Sequence, residues 1–164
     1  MNQYVLIAAI GKNRELGYQN KLIWKFKKDM KFFRDNTMNK VVVMGRRTFE
    51  SLPGLLKNRQ HIVLTSQDIV IPGIYIVHSK EEIDVLLKNY YDDIMIIGGE
   101  SIYKLFIDYA DRMLLTEIDD EYINADVYFP EFHYSDWDRC VLKEEEENNI
   151  KFCHTLYTRK LIRR

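Results

Sequence analysis

Short runs of consecutive apolar residues recur along the chain, with amphipathic segments between several of them. Runs such as VVVM and IMII are apolar without interruption, which is typical of strands covered on both faces in a largely parallel sheet. The pattern therefore predicts an α/β fold with helices on both sides of the sheet. The strands predicted in this way are residues 4–10, 41–44, 61–65, 74–77, 94–97 and 112–118.

The pattern changes after Pro130. Two alternating segments, residues 137–143 and 150–161, flank an acidic stretch at 144–149. Alternating segments on either side of a turn predict an antiparallel hairpin. Four consecutive glutamates beside two asparagines favour a solvated turn over a cation site.

Length and charge exclude several classes of protein. The 164 residues fit one domain, 1–164, whose core needs no disulfide. With 24 basic and 25 acidic residues the net charge is -1, so no overall field attracts nucleic acid or an anionic membrane. No apolar run approaches the ~20 residues of a membrane span, no secretory signal precedes the first strand, and the two cysteines lack zinc-site spacing. We expect a cytoplasmic monomer that binds no nucleic acid, membrane or metal.

Three predicted strands end in turns suited to anions. One continues into Gly45-Arg46-Arg47-Thr48, the second into Leu64-Thr65-Ser66, and the third into Ile97-Gly98-Gly99-Glu100-Ser101-Ile102-Tyr103. Taken singly, each is more often an ordinary surface turn. Because ligands bind at the carboxyl ends of parallel strands, the three together predict a dinucleotide site. Arg47 with Ser66 predicts a 2′-phosphate, and hence NADPH.

One acidic residue lies in a predicted helix over residues 26–36. Phe26, Met30 and Phe33 form an apolar stripe there, and Asp29 falls on its flank. A partly desolvated carboxylate has a raised pKa and accepts hydrogen bonds from an amidine-like heterocycle. An equally good interpretation is that Asp29 is an acidic residue in the first turn, where its charge interacts favourably with the helix dipole. The long connection at residues 11–24 is either a functional lid or a plain surface crossover.

The motifs LIAAIGKNRELGYQNKLIW, NTMNKVVVMGRRTFESLP, NRQHIVLTS, IMIIGGESIYKLF, LLTEID and ADVYFP follow one another in the chain. In this order they resemble bacterial chromosomal dihydrofolate reductase over essentially the whole length. The resemblance implies one domain with an eight-stranded, mostly parallel sheet, a C-terminal antiparallel hairpin and four flanking helices. It also implies reduction of 7,8-dihydrofolate to tetrahydrofolate by NADPH for one-carbon metabolism and thymidylate synthesis, and binding of antifolate inhibitors.

The resemblance further implies roles for individual residues. Asp29 would bind the pterin's 2-amino group and ring N3, Thr116 would support it, and Trp24 would order a water, with Leu22 completing the catalytic set. Arg59 matches the arginine that binds the substrate's glutamate tail. The remaining substrate positions are Ile7, Ala9, Met30, Phe33, Leu52 and Ile97.

The implied cofactor positions comprise the three strand-end turns and the loop before the first helix. Asp126 resembles an acid that tethers this loop. The full cofactor set is Ala9, Leu16, Asn20, Gly45, Arg46, Arg47, Thr48, Leu64, Thr65, Ser66, Ile97, Gly98, Gly99, Glu100, Ser101, Ile102 and Tyr103.

The chain departs from the family pattern at three positions. At the positions of Ile23, Lys27 and Lys57 the family often has proline, so the backbone restriction that proline imposes is lost there. Two other functions remain open at this point. A related pyrimidine reductase of riboflavin synthesis would share the fold and cofactor, and a catalytically silent pterin- or nucleotide-binding protein would share the pocket.

Overall fold

The structure, a computed structural model, describes residues 2–161, so Met1 and residues 162–164 of the predicted 1–164 domain lie outside the described residues. These residues form eleven strands and four α-helices. The strands are β1 (Gln3–Ile10), β2 (Glu15–Tyr18), β3 (Lys21–Leu22), β4 (Val41–Gly45), β5 (Gln60–Leu64), β6 (Tyr75–Val77), β7 (Asp93–Ile96), β8 (Ala110–Ile118), β9 (Val127–Tyr128), β10 (Trp137–Glu147) and β11 (Ile150–Arg159). The helices are α1 (Lys27–Thr37), α2 (Arg46–Ser51), α3 (Lys80–Leu86) and α4 (Glu100–Phe106).

Eight of the strands form one sheet in the order β10-β11-β8-β1-β7-β4-β5-β6. From β8 to β6 the neighbouring strands are parallel, whereas β11 is antiparallel to both β8 and β10. The predicted α/β class, the mostly parallel sheet and the C-terminal hairpin are confirmed. Because β7 pairs with both β1 and β4, the carboxyl ends of these three strands meet at the centre of one edge.

Alternate residues of the central strands build two separate cores. Val41 and Val43 of β4 pack with Ile83 of α3 and Phe106 of α4 on one face of the sheet. On the other face, Val42 and Met44 pack with aromatic residues of α1 and α2. Both faces are therefore buried, which explains why these strands lack polar alternation.

The connection at residues 11–24 is more ordered than a plain loop. It contains β2 and β3, which form a three-stranded sheet in the order β3-β2-β9. Gln19 and Asn20, between the two strands, have φ of 50° and 62°. Two consecutive positive φ angles are characteristic of the tight turn that joins antiparallel strands.

The hairpin differs from its prediction in the position of the turn. The glutamates predicted to form a solvated turn belong to β10, which extends to Glu147. The turn itself is Asn148-Asn149, with φ of 53° and 64°. The side chain of Glu145 is only 6% exposed and lies 3.0 Å from the ammonium of Lys143. The ion pair with Lys143 thus makes the largely buried Glu145 compatible with a strand.

The same acidic strand caps α1. The N-cap residue, Phe26, has no side-chain cap, and the Glu147 carboxylate accepts hydrogen bonds from the backbone N–H groups of Lys27 at 2.8 Å and Lys28 at 3.1 Å. A proline at position 27 would have no N–H to donate. Lys27 in place of proline therefore makes a bond that fixes α1 to the C-terminal hairpin.

No helix within residues 2–161 has both the length and the apolar character needed to span a membrane.

Replacing Glu147 with alanine should lower the free energy of unfolding by about 1 kcal/mol, because two N–H groups of the first turn lose their acceptor. Urea denaturation measures this change. Glu146→Ala is the matched control, since that neighbour is exposed and contributes only its backbone carbonyl to Lys28. Equal losses in the two variants would show that the cap has no special role.

Candidate active site

Asp29 meets the sheet through a hydroxyl. Ala9 of β1 and His154 of β11 are both in register with Thr116 of β8, so the three residues form one row across adjacent strands. The Thr116 hydroxyl donates to Asp29 Oδ1 at 2.6 Å. The predicted pair of Asp29 and Thr116 is therefore in direct contact.

The Asp29 carboxylate is largely withdrawn from water, with 22% of its side chain exposed. Burial raises its pKa, while the Thr116 hydrogen bond and the nearby His154 lower it and Glu147 raises it further. A carboxylate in this setting gains most from a ligand that supplies N–H donors, because its solvent partners are already reduced.

The apolar side of α1 differs in one position from the predicted stripe. Phe26 and Phe33 pack inward, but Met30, the third residue of the predicted apolar stripe, is 59% exposed. Phe32 packs inward in its place and stacks on His154. The predicted helix face is thus rotated, since a residue at the edge of a 3.6-residue repeat is sensitive to small rotations.

The remaining predicted substrate residues lie mainly on one face of the sheet. Ile7 is buried there, and Phe33, Leu52 and Ile97 pack partly buried against the same core. Ala9 lies in a neighbouring cluster beside Trp24. The indole N–H of Trp24 donates to Asp120 Oδ2 at 3.0 Å, a partner that the sequence did not indicate.

A cleft of about 540 Å³ runs along the carboxyl edge of the sheet. All the residues predicted to bind the cofactor line it, as does Leu22, which is 63% exposed on β3. Ala9 and Ile97 belong both to this cleft and to the predicted substrate wall, so the two regions are continuous. Further lining residues, outside the predicted substrate and cofactor sets, are Gly17, Lys21, Ser51, Gln67 and Val127.

Three glycines bring backbone close to this cleft. Gly98 has φ of 120°, a conformation that favours glycine, and a Cβ there would lie 3.4 Å from the Tyr103 ring. A Cβ on Gly99 would lie 3.3 Å from Thr48 Oγ1, and one on Gly45 would lie 3.2 Å from the side chain of Ile102. The Gly45 N–H donates to the Gly98 carbonyl at 2.9 Å. The backbone of Gly45, Gly98 and Gly99 therefore forms a narrow concave surface, the backbone cradle, which side chains at these positions would fill.

The side chains of two α4 residues in the predicted cofactor set, Glu100 and Tyr103, form hydrogen bonds within the fold. The Tyr103 hydroxyl donates to the Ile7 carbonyl at 2.6 Å, and its ring is buried, which raises its pKa. The Glu100 carboxylate accepts from the backbone N–H of Tyr128 at 2.6 Å, tying α4 to β9. Both therefore shape the cleft through these contacts.

The two adjacent arginines of the first turn differ in their partners. Arg46 forms an ion pair with Glu50 at 2.8 Å. Arg47 is exposed, and within residues 2–161 its guanidinium has no acidic partner. Arg47 is thus the cation available to an anionic ligand at this end of the cleft.

Arg59 is half-buried beside the end of α1. It donates to the Lys57 carbonyl at 2.9 Å and to Thr37 Oγ1 at 3.0 Å. Burial and the nearby Arg34 lower its pKa, and no carboxylate within residues 2–161 forms an ion pair with it. An anion bound here would relieve this repulsion.

The loop before α1 is fastened to the β8–β9 connection. The Asp126 carboxylate accepts from the Gln19 N–H at 2.9 Å, and the Asp126 N–H donates to the Gly17 carbonyl at 3.1 Å. Glu15, which is 1% exposed, accepts from the N–H groups of Asn13 and Tyr122 at 2.7 Å each. These bonds hold the loop over the cleft.

Two residues next to Asp29 were missed from the sequence. His154 lies in an alternating strand, where a lone histidine carries no signal, and Glu147 lies in a charge run that indicates a turn. Only the register between β8 and β11 reveals His154 as a neighbour of Thr116.

Comparison with known proteins agrees with this geometry. The family model described as Dihydrofolate reductase matches residues 3–159. Dihydrofolate reductase of Buchnera aphidicola from Acyrthosiphon pisum is 40% identical over 147 residues, covering 88% of this chain and 90% of the relative. That of Haemophilus influenzae is 33% identical over 160 residues, covering 96% and 99%.

A solved structure supports the same assignment. The Enterococcus faecalis dihydrofolate reductase complexed with NADP(H) and RAB-propyl superposes with a TM-score of 0.87 at 31% identity, covering 96% of each chain. The matched family model, the sequence relatives and the shared architecture show that this chain belongs to the dihydrofolate reductase family.

Proposed function

We propose that this protein reduces 7,8-dihydrofolate to 5,6,7,8-tetrahydrofolate with NADPH. The observation that carries the proposal is the contact between Asp29 and Thr116, placed in register with Ala9 at the end of a glycine-lined cleft. One end of this site thus supplies an acceptor for N–H groups, and the other supplies backbone without side chains.

Asp29 is the residue proposed to bind the pterin. Its carboxylate would accept hydrogen bonds from the 2-amino group and ring N3, with Thr116 fixing its orientation. A negative charge close to the ring favours the form of the pterin that is protonated at N5, the atom that must gain a proton. Trp24 is proposed to hold a water near this carboxylate by sharing the indole N–H that donates to Asp120 in the free protein, and Leu22 is proposed to close the cleft.

Apolar residues are proposed to hold the pterin and the benzoyl group. Ile7, Phe33 and Leu52 form the packed wall, and the exposed Met30 is placed at its rim. Arg59 is proposed to bind the glutamate tail, since a planar guanidinium can hold a carboxylate through two hydrogen bonds.

The residues of the cleft fit NADPH. The backbone cradle at Gly45, Gly98 and Gly99 leaves room for a pyrophosphate, and Arg47 offers a charge for the 2′-phosphate. When bound, the cofactor supplies the hydride. The chain places Ala9 and Ile97 where the substrate and the cofactor meet, and the loop that is fastened to the β8–β9 connection excludes water.

We further propose a single domain over residues 1–164 that acts as a cytoplasmic monomer without nucleic-acid partners. All the proposed site residues come from one chain, and the net charge of -1 provides no general attraction for polyanions. Antifolates that present an amidine-like edge are expected to bind at Asp29.

The direct test follows the loss of NADPH absorbance when purified protein is mixed with dihydrofolate. The expected result is stoichiometric formation of tetrahydrofolate. Absence of oxidation across the pH range would overturn the proposal and favour a silent binding protein. Oxidation with a ribosylated pyrimidine in place of dihydrofolate would identify a pyrimidine reductase.

Asp29→Asn should reduce turnover about 10²–10³-fold, because the charge that favours N5 protonation is lost. NADPH affinity, measured by fluorescence titration, should stay the same. Asp35→Asn is the control, since that acid lies exposed on the same helix and pairs with Lys31. Full turnover in Asp29→Asn would remove this residue from the mechanism.

The same substitution should stabilise the free protein at neutral pH. Because the pKa of Asp29 is raised on folding, its carboxyl lowers stability progressively as the pH rises above its unfolded pKa of about 4. The asparagine variant has no such loss. Urea denaturation across pH measures the difference, and an equal stability of both proteins at high pH would contradict the burial of Asp29.

Arg47→Ala should raise the KM for NADPH about 10–100-fold, because a charge-assisted hydrogen bond to the 2′-phosphate is lost. The KM for NADH, which lacks this phosphate, should change little and serves as the internal control. Equal effects on both cofactors would show that Arg47 does not read the phosphate.

A further inference from the structure

A buried histidine adjoins the Asp29–Thr116 pair. His154 is 3% exposed, and its ring stacks on Phe32 with 4.0 Å between centroids and an interplanar angle of 8°. The edge of the Phe152 ring packs against it with 5.7 Å between centroids. These two rings hold the imidazole so that Nδ1 lies 2.8 Å from Thr116 Oγ1 and 3.9 Å from Asp29 Oδ1.

The direction of these hydrogen bonds follows from the number of hydrogens. The Thr116 hydroxyl has one hydrogen, and an ionised carboxylate can only accept, so this hydrogen points to Asp29. The hydroxyl oxygen then presents a lone pair to His154. For the 2.8 Å contact to be a hydrogen bond, Nδ1 must carry a hydrogen.

We infer that His154 is a positioning residue that donates from Nδ1 to Thr116 and thereby holds the Thr116 hydroxyl as a donor to Asp29. The inference rests on the proposed function, since it concerns the same carboxylate. Consecutive hydrogen bonds polarise one another, so the donation from His154 strengthens the bond that Asp29 receives. A better-supported carboxylate stays ionised to lower pH and keeps its acceptor oxygens aimed at the ligand.

Charged groups on two other elements face this histidine. Asp29 of α1 and Glu145 of β10 raise its pKa, Lys143 of β10 lowers it, and burial lowers it most. Glu145 is itself paired with Lys143 at 3.0 Å and with Lys28 at 3.6 Å, which offsets its effect on the ring. Glu147 acts on Asp29. A neutral ring with hydrogen on Nδ1 is therefore the expected state.

Nitrogen-15 NMR of the imidazole tests this state without any turnover. At neutral pH the His154 signals should be those of a neutral ring protonated at Nδ1, with the His154→Phe spectrum providing the assignment. A ring protonated at Nε2 alone, which has no hydrogen on Nδ1 to donate to Thr116, would overturn the inference. If the protein failed to reduce dihydrofolate, the proposed function would fall while this test of the His154–Thr116 bond would stand.

Substitutions test the consequence for ligand binding. His154→Phe keeps an aromatic ring for the stack with Phe32 and removes the donor. Folate affinity is measured against pH without NADPH. The pH below which this affinity falls should then rise by about half a unit to one unit. Turnover should fall several-fold with an unchanged KM for NADPH. His154→Asn should restore the profile, because its amide nitrogen lies about where Nδ1 lies.

Two controls separate this role from packing. Thr155→Val removes a neighbouring buried hydroxyl on β11 that donates only to the Leu115 carbonyl, so it should leave the pH profile unchanged. In a Thr116→Val background, His154→Phe should cause no further shift, since the connecting hydroxyl is gone. A superimposable profile for His154→Phe, or an equal shift in Thr155→Val, would show that His154 is only a packing residue.

Discussion

The partial burial of one carboxylate is the constraint around which this site is organised. Asp29 loses much of its hydration on folding, and a charged group in that position is tolerated only when donors replace water. Thr116 supplies one such donor within the fold. The remaining acceptor capacity is available to the pterin edge that we propose binds here, and under this proposal the cost of desolvation is also the source of selectivity for ligands rich in N–H groups.

The sheet determines where the rest of the site lies. Insertion of β7 between β1 and β4 brings three carboxyl ends together, and with them Ala9, Gly45 and the Gly98–Gly99 turn. Helices pack on both faces, so this edge is the part of the sheet that remains open to a ligand. The distance between Thr116 and the glycine turn is therefore set by backbone pairing, and Asp29 is added to this frame by the packing of α1 and the hydrogen bond from Thr116.

The sequence predicts those features that depend on local pattern. Continuous apolar runs locate the central strands, because a strand that is buried on both faces carries apolar residues at consecutive positions. Glycines beside strand ends locate the cleft. Features that depend on register are invisible to such patterns. His154 becomes a neighbour of Thr116 only through the pairing of β8 and β11, and the largely buried Glu145 of β10 is balanced by Lys28 and Lys143, which lie beside it. Met30 shows the limit of helical periodicity at the edge of a face.

The bond between Glu147 and the first turn of α1 has a consequence for the order of assembly. The helix that carries Asp29 leaves the ribosome early, yet the carboxylate that closes its first turn is synthesised more than a hundred residues later. The binding pocket therefore cannot reach its final form before Glu147 has been synthesised. It is completed only when the β10–β11 hairpin docks, which couples the appearance of ligand affinity to the synthesis of this hairpin.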